Sequence, residues 1–520
     1  DTVAITGDVR GLTRRWRRRV DEPSPEQTSN ASFTAPVKRD LVDRVLAARG
    51  ITGDAVEPFL NPSLHALHDP ALLPGAEVAA ERILSAAAAR EPIVIYGDYD
   101  VDGVTATAIL VRTLRAIDPE AAVSTYVPHR VDEGYGLNVP AIRSLADSGA
   151  RVIVSVDCGV TAVEPARVAR ELGVDLIITD HHNPPASAKD LPEATAIVHP
   201  SLPGTDQQYP FAELCGAGVA YKLAWRMASI ASGDGDRVRP DLRVLLVELL
   251  AFAALGTIAD VVPLEGENRV LARFGLARCK HTPFTGLRAL VEACGLAGEN
   301  IDAMGVGFKL APRLNACGRL GTAQDAIDLF LTSDPEAAAR IADDLNTQNN
   351  ERRQTATRIL DEALELAVSH GMDKPDQRAV VLADPGWHPG VVGIVCSRLV
   401  ERLCRPVVLL QSRDDDELGA ICAGSGRSIT GFNLHAALAA CSEHLMTFGG
   451  HDAAAGLKLK HDNLDAFREA FVAHANERLT PDDLVAHAAY DTDATIEELS
   501  VESVGALERM GPFGRGNPGV

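Results

Sequence analysis

Three short apolar runs constrain this chain more than any other feature: Ile93-Val94-Ile95-Tyr96, Val152-Ile153-Val154-Ser155-Val156 and Leu176-Ile177-Ile178-Thr179. Each closes on Gly or Asp and is followed by residues of helix-like periodicity. Near-continuous apolar strands alternating with helices are how a parallel sheet covered on both faces is written. The expectation is an α/β fold with a mainly parallel sheet. In open sheets of this kind ligands bind beyond the carboxyl ends of the strands, so the residues that follow the runs carry the most weight.

The first run leads into Gly97-Asp98-Tyr99-Asp100-Val101-Asp102-Gly103, with three carboxylates at alternate positions before a helix beginning near Thr105. Three close anions repel unless cations neutralise them. An Asp-rich N-cap with a calcium-like loop is the competing reading, although the Glu at the twelfth position of an EF-hand loop is missing. Taken alone, the triplet fits either.

The second run ends Val156-Asp157-Cys158-Gly159 and the third Thr179-Asp180-His181-His182, while Gly256-Thr257-Ile258-Ala259-Asp260 closes a further apolar run. Each is read as one more oxygen or imidazole donor at a strand end. Any one of these residues by itself would be a cap or a solvated group; their joint placement points to a common centre. Carboxylates with imidazole and no thiolate suit Mg²⁺ or Mn²⁺, and two such ions activate water and stabilise the leaving oxygen of a phosphodiester.

The chain's 520 residues are too many for one core and imply two to four domains. Nine cysteines stand singly, without a CxxC pair, which argues against a structural zinc and against a disulfide framework. No apolar run is read as approaching the roughly 18 to 20 residues of a membrane span, and Asp1 to Arg10 lack the layout of a secretory signal. A cytoplasmic location is expected. The net charge of −22 requires a nucleic-acid enzyme to segregate its basic residues. One basic cluster, Arg10, Arg14, Arg15, Arg17, Arg18 and Arg19 around Trp16, is read as a solvated, partly disordered arm, with phosphate tracking and base stacking as the alternative.

The expected organisation is an N-terminal extension over 1–75 with a Pro/Ser/Asn-rich stretch from Glu22 to Pro36, a catalytic domain over 76–325, and a connecting helical segment over 326–372. A second α/β domain follows over 373–475, from strands at Arg378 to Leu382 and Pro406 to Leu410 flanking a helix from Gly390 to Leu403, and 476–520 form a linker. The stretch from Asp334 to His370, without Gly or Pro after its start, reads as one long helix ending at Gly371.

Asp98-Tyr99-Asp100-Val101-Asp102-Gly103, Asp157-Cys158-Gly159, Asp180-His181-His182 and Gly256-Thr257-Ile258-Ala259-Asp260 resemble the four ordered motifs of the DHH phosphoesterases. Pro128-His129-Arg130 with Glu133-Gly134-Tyr135-Gly136, Pro312-Arg313-Leu314-Asn315-Ala316-Cys317-Gly318-Arg319-Leu320 and Trp387-His388-Pro389-Gly390 narrow the resemblance to the RecJ exonucleases, over roughly residues 75 to 520. The resemblance implies a DHH domain followed by a smaller DHH-associated domain. It also implies a single-stranded-DNA-specific exonuclease that runs 5′ to 3′ and releases 5′-mononucleotides with two divalent cations, Mn²⁺ or Mg²⁺.

By that resemblance Asp100 and Asp102 each hold a metal, Asp157 bridges both ions, His181 and Asp260 complete one site, and Asp98 is an additional ligand or supports one. Many relatives carry His two residues before the first of these aspartates; here the residue is Tyr96, a poor ligand while its phenol is protonated. The resemblance further implies that His182 contacts the scissile phosphate and that Asn315 and Arg319 steady phosphates or transition-state charge. Arg319 reads equally as an interdomain ion pair.

Gly424-Ser425-Gly426-Arg427-Ser428 and Gly449-Gly450-His451 resemble the substrate-binding part of the second domain; without the resemblance they are Gly-rich turns. By analogy Arg130, Ser425 and Arg427 take the terminal 5′-phosphate, with His451 beside the substrate. Met510-Gly511-Pro512-Phe513-Gly514-Arg515-Gly516-Asn517-Pro518 resembles the lead-in to an OB-fold, here the start of a truncated one, and a chain without that barrel is expected to bind single strands more weakly.

The expected partners are single-stranded DNA, single-stranded DNA-binding protein and a RecQ-type helicase, with no membrane and a monomeric state. Two other functions compete: a DHH phosphodiesterase for short RNA or cyclic dinucleotides, and a non-catalytic DNA-binding scaffold. The length and the Arg313 to Leu320 segment speak against the first; retention of Asp100, Asp102, Asp157, His181 and Asp260 speaks against the second.

Overall fold

A computed structural model of the chain describes residues 9–10, 14–19, 40–130, 133–205, 208–233, 237–415 and 418–520. The Glu22 to Pro36 stretch lies outside them. Two compact units emerge, one of Asp1–Gly50 with Asn350–Ile496, the other of Ile51–Asn349 with Glu497–Val520.

The larger unit is built on five strands, β1 (Ile93–Tyr96), β2 (Val123–Tyr126), β3 (Val152–Val156), β4 (Asp175–Thr179) and β5 (Ala196–Val198), all parallel in the order β2-β1-β3-β4-β5. The continuous burial of β1 and β3 explains their unbroken apolar character. On one face Ile93, Ile95, Val154 and Ile177 pack into the main core; on the other Val94, Tyr96, Ile153 and Ile178 meet Leu137, Ile142 and Ala166. Tyr96 stands level with Ser155, and Val156 with Thr179, so β1, β3 and β4 finish at one edge and present their following loops together.

The main core is completed by α1 (Val101–Ile117), α2 (Gly216–Ser232), α3 (Pro240–Ala259) and α4 (Gly266–Cys279). Two expectations are corrected by α3. The run ending at Asp260 is a helix, and Asp260 is its C-cap rather than the end of a strand. An apolar stretch without strong periodicity can be either element, and α3 is hydrophobic nearly all round because α1, α2 and α4 enclose it. Its 20 residues, with a mean hydropathy of 2.0 over the best 18-residue window, also make it long and apolar enough to cross a membrane; 61% of that window is buried within the protein. Between α2 and α4, Lys222 Nζ lies 2.5 Å from Glu267 Oε1 and the Tyr209 hydroxyl donates to Glu267 Oε2 at 2.6 Å, a buried pair whose charges satisfy each other.

Further on come α5 (Ala311–Leu320) and α6 (Pro335–Ser369), a single helix of 35 residues; just past its end Gly371 adopts φ +67°. The smaller unit holds β6 (Val380–Asp384), α7 (Pro389–Leu403), β7 (Val407–Asp415), β8 (Gly419–Arg427), β9 (Thr447–Gly450) and β10 (Ala454–Lys460). Its sheet runs β9-β10-β8-β7-β6, parallel between β6 and β7 and antiparallel elsewhere. Gly424 to Arg427 and Gly449-Gly450 therefore lie within strands, not in Gly-rich turns.

The Arg-rich segment is likewise ordered. Arg15–Arg18 forms a strand parallel to His487–Tyr490, joined on its other side by Val9–Arg10. Arg19 and Arg49 both reach Asp491, each at 2.8 Å, and Arg15 reaches Asp482 at 3.2 Å. Carboxylates more than four hundred residues away neutralise charges that look fully solvated in the local sequence. At the C-terminal side, Arg269 donates to Gly511 O at 3.0 Å, Leu264 N donates to Arg515 O at 2.8 Å, and Gly514 and Asn517 form a bridge.

Candidate metal centre

Asp100 ends the loop after β1 and caps α1, accepting from the backbone N–H of Asp102 at 2.8 Å and of Gly103 at 3.1 Å. Asp98 and Asp102 are almost completely buried. The Asp102 carboxylate accepts from the N–H groups of Gly216 at 2.6 Å and Ala217 at 2.8 Å, at the N-terminus of α2, where the helix dipole also favours an anion. Glycine is required for this approach: a Cβ on Gly216 would stand 2.6 Å from Asp157 Oδ1, and one on Gly256 would stand 2.4 Å from Asp102 Oδ1.

Asp157 follows β3 with φ +61°, a left-handed conformation that costs a non-glycine residue energy. After β4, Asp180 accepts from the N–H groups of His181 at 2.7 Å, His182 at 3.1 Å and Val160 at 2.9 Å, and lies 2.8 Å from His182 Nδ1. These bonds turn the two imidazoles towards the carboxylates. His181 Nε2 lies 3.2 Å from Asp157 Oδ1, 3.6 Å from Asp260 Oδ2 and 3.8 Å from Asp102 Oδ2; His182 Nδ1 lies 4.0 Å from Asp157 Oδ1. Three overlapping donor sets result: Asp98 with Asp100 and Asp157, Asp102 with His181 and Asp260, and Asp157 with His181 and His182, each with its ligand atoms within 4.8 Å.

Burial, then the neighbouring carboxylates, hold Asp98 and Asp157 far above the usual carboxylate range and push Asp260 up to about 8. Burial would also raise Asp180, but the hydrogen bond and charge of His182 outweigh it and hold Asp180 at about 2. His182 responds in kind: burial opposes its charge, and Asp180 nevertheless raises it to about 9. Burial keeps His181 below its ordinary value, neutral and with a lone pair to give. Asp98 Oδ1, Asp157 Oδ1 and His181 Nε2 are buried with no hydrogen-bond partner among the described residues. Orphaned acceptors on crowded carboxylates, next to a neutral imidazole, fit hard divalent cations such as Mg²⁺ or Mn²⁺.

Three further expected site residues, Arg130, Asn315 and Arg319, lie in the same unit as this centre. The Arg130 guanidinium covers the ring of Tyr99, 4.6 Å from its centroid. Asn315 Oδ1 accepts from Val101 N at 3.2 Å, and α5 approaches the aspartate loop so closely that a Cβ on Gly318 would lie 2.6 Å from Tyr99 O. Arg319 is the next residue, half-buried. Ser425, Arg427 and His451 belong to the smaller unit. There a Cβ on Gly393 would lie 3.2 Å from Arg427 Nη2 and 3.4 Å from Ser425 Oγ, placing both side chains beside the first turns of α7.

Two residues of this centre stand in the sequence motifs without a role of their own assigned to them. Asp180 orients His182, and Tyr135 donates to Asp157 O at 3.0 Å with its hydroxyl 3.2 Å from His182 Nε2. The signal for Tyr135 is its setting between Gly134 and Gly136, at φ +83° and +78°, a bend that thrusts one aromatic outwards. Tyr96, by contrast, donates its hydroxyl to Gly136 O at 2.9 Å, and burial keeps the phenol protonated. It is engaged with backbone and not offered to a cation.

Residues 92–257 match the family described as DHH family, N-terminal domain, and residues 376–477 match the DHHA1 domain. The chain is 41% identical over 496 residues to the single-stranded-DNA-specific exonuclease RecJ of Bacillus subtilis, covering 95% of this chain and 60% of that protein. It is 36% identical to the protein of the same name in Dickeya dadantii, covering 92% of this chain and 82% of the relative. The crystal structure of RecJ in complex with Mn²⁺ from Thermus thermophilus superposes with a TM-score of 0.74 at 33% identity, over 92% of this chain and 67% of that one.

Proposed function

The chain belongs to the RecJ family of DHH phosphoesterases, and from that premise we propose that it is a metal-dependent exonuclease of single-stranded DNA, cutting from the 5′ end and releasing 5′-mononucleotides. The observation that carries this reading is the convergence of Asp98, Asp100, Asp102, Asp157, His181 and Asp260 around Asp98 Oδ1, Asp157 Oδ1 and His181 Nε2, which are buried and have no hydrogen-bond partner among the described residues. The two cations those residues would hold supply an activated water and neutralise charge on the leaving oxygen.

The protein's own groups do the rest. Asp157 belongs to two of the three donor sets, one with Asp98 and Asp100 and one with His181 and His182, which supports a bridging role. Both oxygens of Asp102 accept a backbone N–H, at 2.6 and 2.8 Å, whereas Asp100 accepts its two on Oδ1 alone and Asp98 Oδ1 accepts none among the described residues, which favours Asp98 and Asp100 as the freer ligands in the aspartate loop. His182, held in its cationic form by Asp180, is suited to donate a hydrogen bond to a phosphate oxygen. Arg130, Asn315 and Arg319 in the larger unit, and Ser425, Arg427 and His451 in the smaller, are assigned to holding the substrate strand. The domain limits read from the sequence, the OB-fold lead-in at Met510 to Pro518, a cytoplasmic role in DNA repair and recombination, and association with single-stranded DNA-binding protein or a RecQ-type helicase belong to the same proposal.

The experiment is Mn²⁺-dependent degradation of matched single- and double-stranded DNA labelled at either end, with and without a 5′-phosphate. Mononucleotide release from the 5′ end of single strands alone is expected. Hydrolysis of dinucleotides without attack on DNA would replace the proposal with the short-substrate alternative.

A further inference from the structure

Tyr96 and Tyr126 end adjacent strands in register, with ring centroids 5.1 Å apart, and both hydroxyls point at the same loop. Tyr126 donates to Glu133 Oε1 at 2.5 Å, and the other oxygen of Glu133 accepts from His129 N at 2.6 Å. Tyr96 donates to Gly136 O at 2.9 Å and accepts from Asn138 Nδ2 at 3.2 Å. Asn138 also approaches Glu133 Oε1 at 3.5 Å, while its carbonyl oxygen caps the helix Val139–Asp147 by accepting from Ala141 N at 2.8 Å.

What these bonds hold is chemically valuable. The residues between Tyr126 and Val139 form neither helix nor strand where described, and two glycines at positive φ leave the backbone there little stiffness of its own. Yet the loop carries Arg130, stacked on Tyr99, and Tyr135, bonded to the backbone of Asp157 and beside His182. Side chains at a reacting centre must be held to a fraction of an ångström. Every anchoring group is a hydroxyl, amide or carboxylate with its partner named above.

We propose that Tyr96, Tyr126, Glu133 and Asn138 form a clasp that positions Arg130 and Tyr135 at the metal centre, so that Tyr96 is a positioning residue for the 5′ end of the substrate strand and not a metal ligand. This rests on the assignment of Arg130 to the substrate under the proposed function. The clasp acts through its hydroxyls, because the aromatic rings are retained in the packing when Tyr becomes Phe.

The test uses Tyr96→Phe and Tyr126→Phe in the full chain with Mn²⁺, and Tyr209→Phe as a control for loss of a buried hydroxyl bonded to Glu elsewhere in the same unit. For each, KM and kcat are measured on a 5′-phosphorylated single-stranded oligonucleotide, Mn²⁺ binding by calorimetry, and amide hydrogen exchange over residues 133–138. Both clasp variants are expected to raise KM by about three- to tenfold, the loss of one net hydrogen bond. Their kcat and Mn²⁺ binding stay near the wild-type values, exchange in the loop quickens, and Tyr209→Phe changes none of these. Unchanged KM and exchange would overturn the clasp, and weakened Mn²⁺ binding with unchanged KM would return Tyr96 to the metal site. A wild-type chain that leaves single-stranded DNA intact would overturn the functional reading and the substrate role together, while exchange would still decide whether the clasp exists.

Discussion

Among single residues Asp157 bears the heaviest load: a left-handed backbone, a buried carboxylate and an oxygen without a hydrogen-bond partner among the described residues. Asp157→Asn keeps the volume and tolerates the same φ, so circular dichroism should stay native. DNA hydrolysis should fall by at least about a hundredfold, as when a group is removed from a preorganised charge-stabilising centre; near-normal turnover would remove Asp157 from the site. The raised carboxyls also give a pH dependence. A carboxyl whose folded pKa exceeds its unfolded value binds its proton more tightly when folded, so its contribution is complete below about pH 4 and is lost as pH rises through the folded value. For Asp260 that loss runs up to about 8, with Asp98 and Asp157 acting in the same direction. The metal-free chain should therefore lose stability between about pH 5 and pH 9, and Mn²⁺, which displaces those protons, should raise the melting temperature more at the upper end. Equal Mn²⁺ stabilisation across the range would refute this. The ligand candidates were legible because carboxylates after apolar runs have few other uses. Asp180 and Tyr135 were not, because their roles lie in whom they orient, which no spacing records.

At the scale of elements, α3 shows both what the sequence discloses and what it conceals. Its Phe252 stacks on Phe284 at 4.8 Å and meets Phe330 at the same distance. Phe252→Ala should lower stability by about 3 to 5 kcal/mol, measured by urea unfolding, with Mn²⁺ affinity retained in the folded fraction. Gly256→Ala on the same helix should lower both: its methyl would stand 2.4 Å from Asp102 Oδ1 and 2.5 Å from Ala217 Cβ, so Mn²⁺ affinity and activity should fall together with the melting temperature. The parallel strands were readable because burial on both faces writes itself into composition. α3 misled because the same burial on all sides erases the helical period, and β8 misled because Gly424, Ser425 and Gly426 lack the bulk by which strands are usually recognised. The Arg15–Arg18 strand was hidden for a different reason: its partner strand and its neutralising Asp491 lie at the far end of the chain.

For the whole molecule, the net charge of −22 and a polyanionic substrate set a measurable constraint. Binding must depend on a few local cations, so affinity should fall with salt and each lost phosphate contact should be countable. Arg427→Ala is expected to reduce the slope of log affinity against log salt by about 0.7, the value for one phosphate on a single strand. An unchanged slope in an anisotropy titration would take Arg427 off the strand.

One further consequence follows from the way the smaller unit is assembled from both ends of the chain, with Arg15–Arg18 paired to His487–Tyr490. On a ribosome adding about 5 to 20 residues per second, the arginine strand emerges first and must wait roughly half a minute or more for its partner to be made. Throughout that interval Arg15, Arg19 and Arg49 lack the carboxylates of Asp482 and Asp491 that pair with them in the finished fold. Biogenesis of this protein thus carries a period of vulnerability that the finished fold no longer shows.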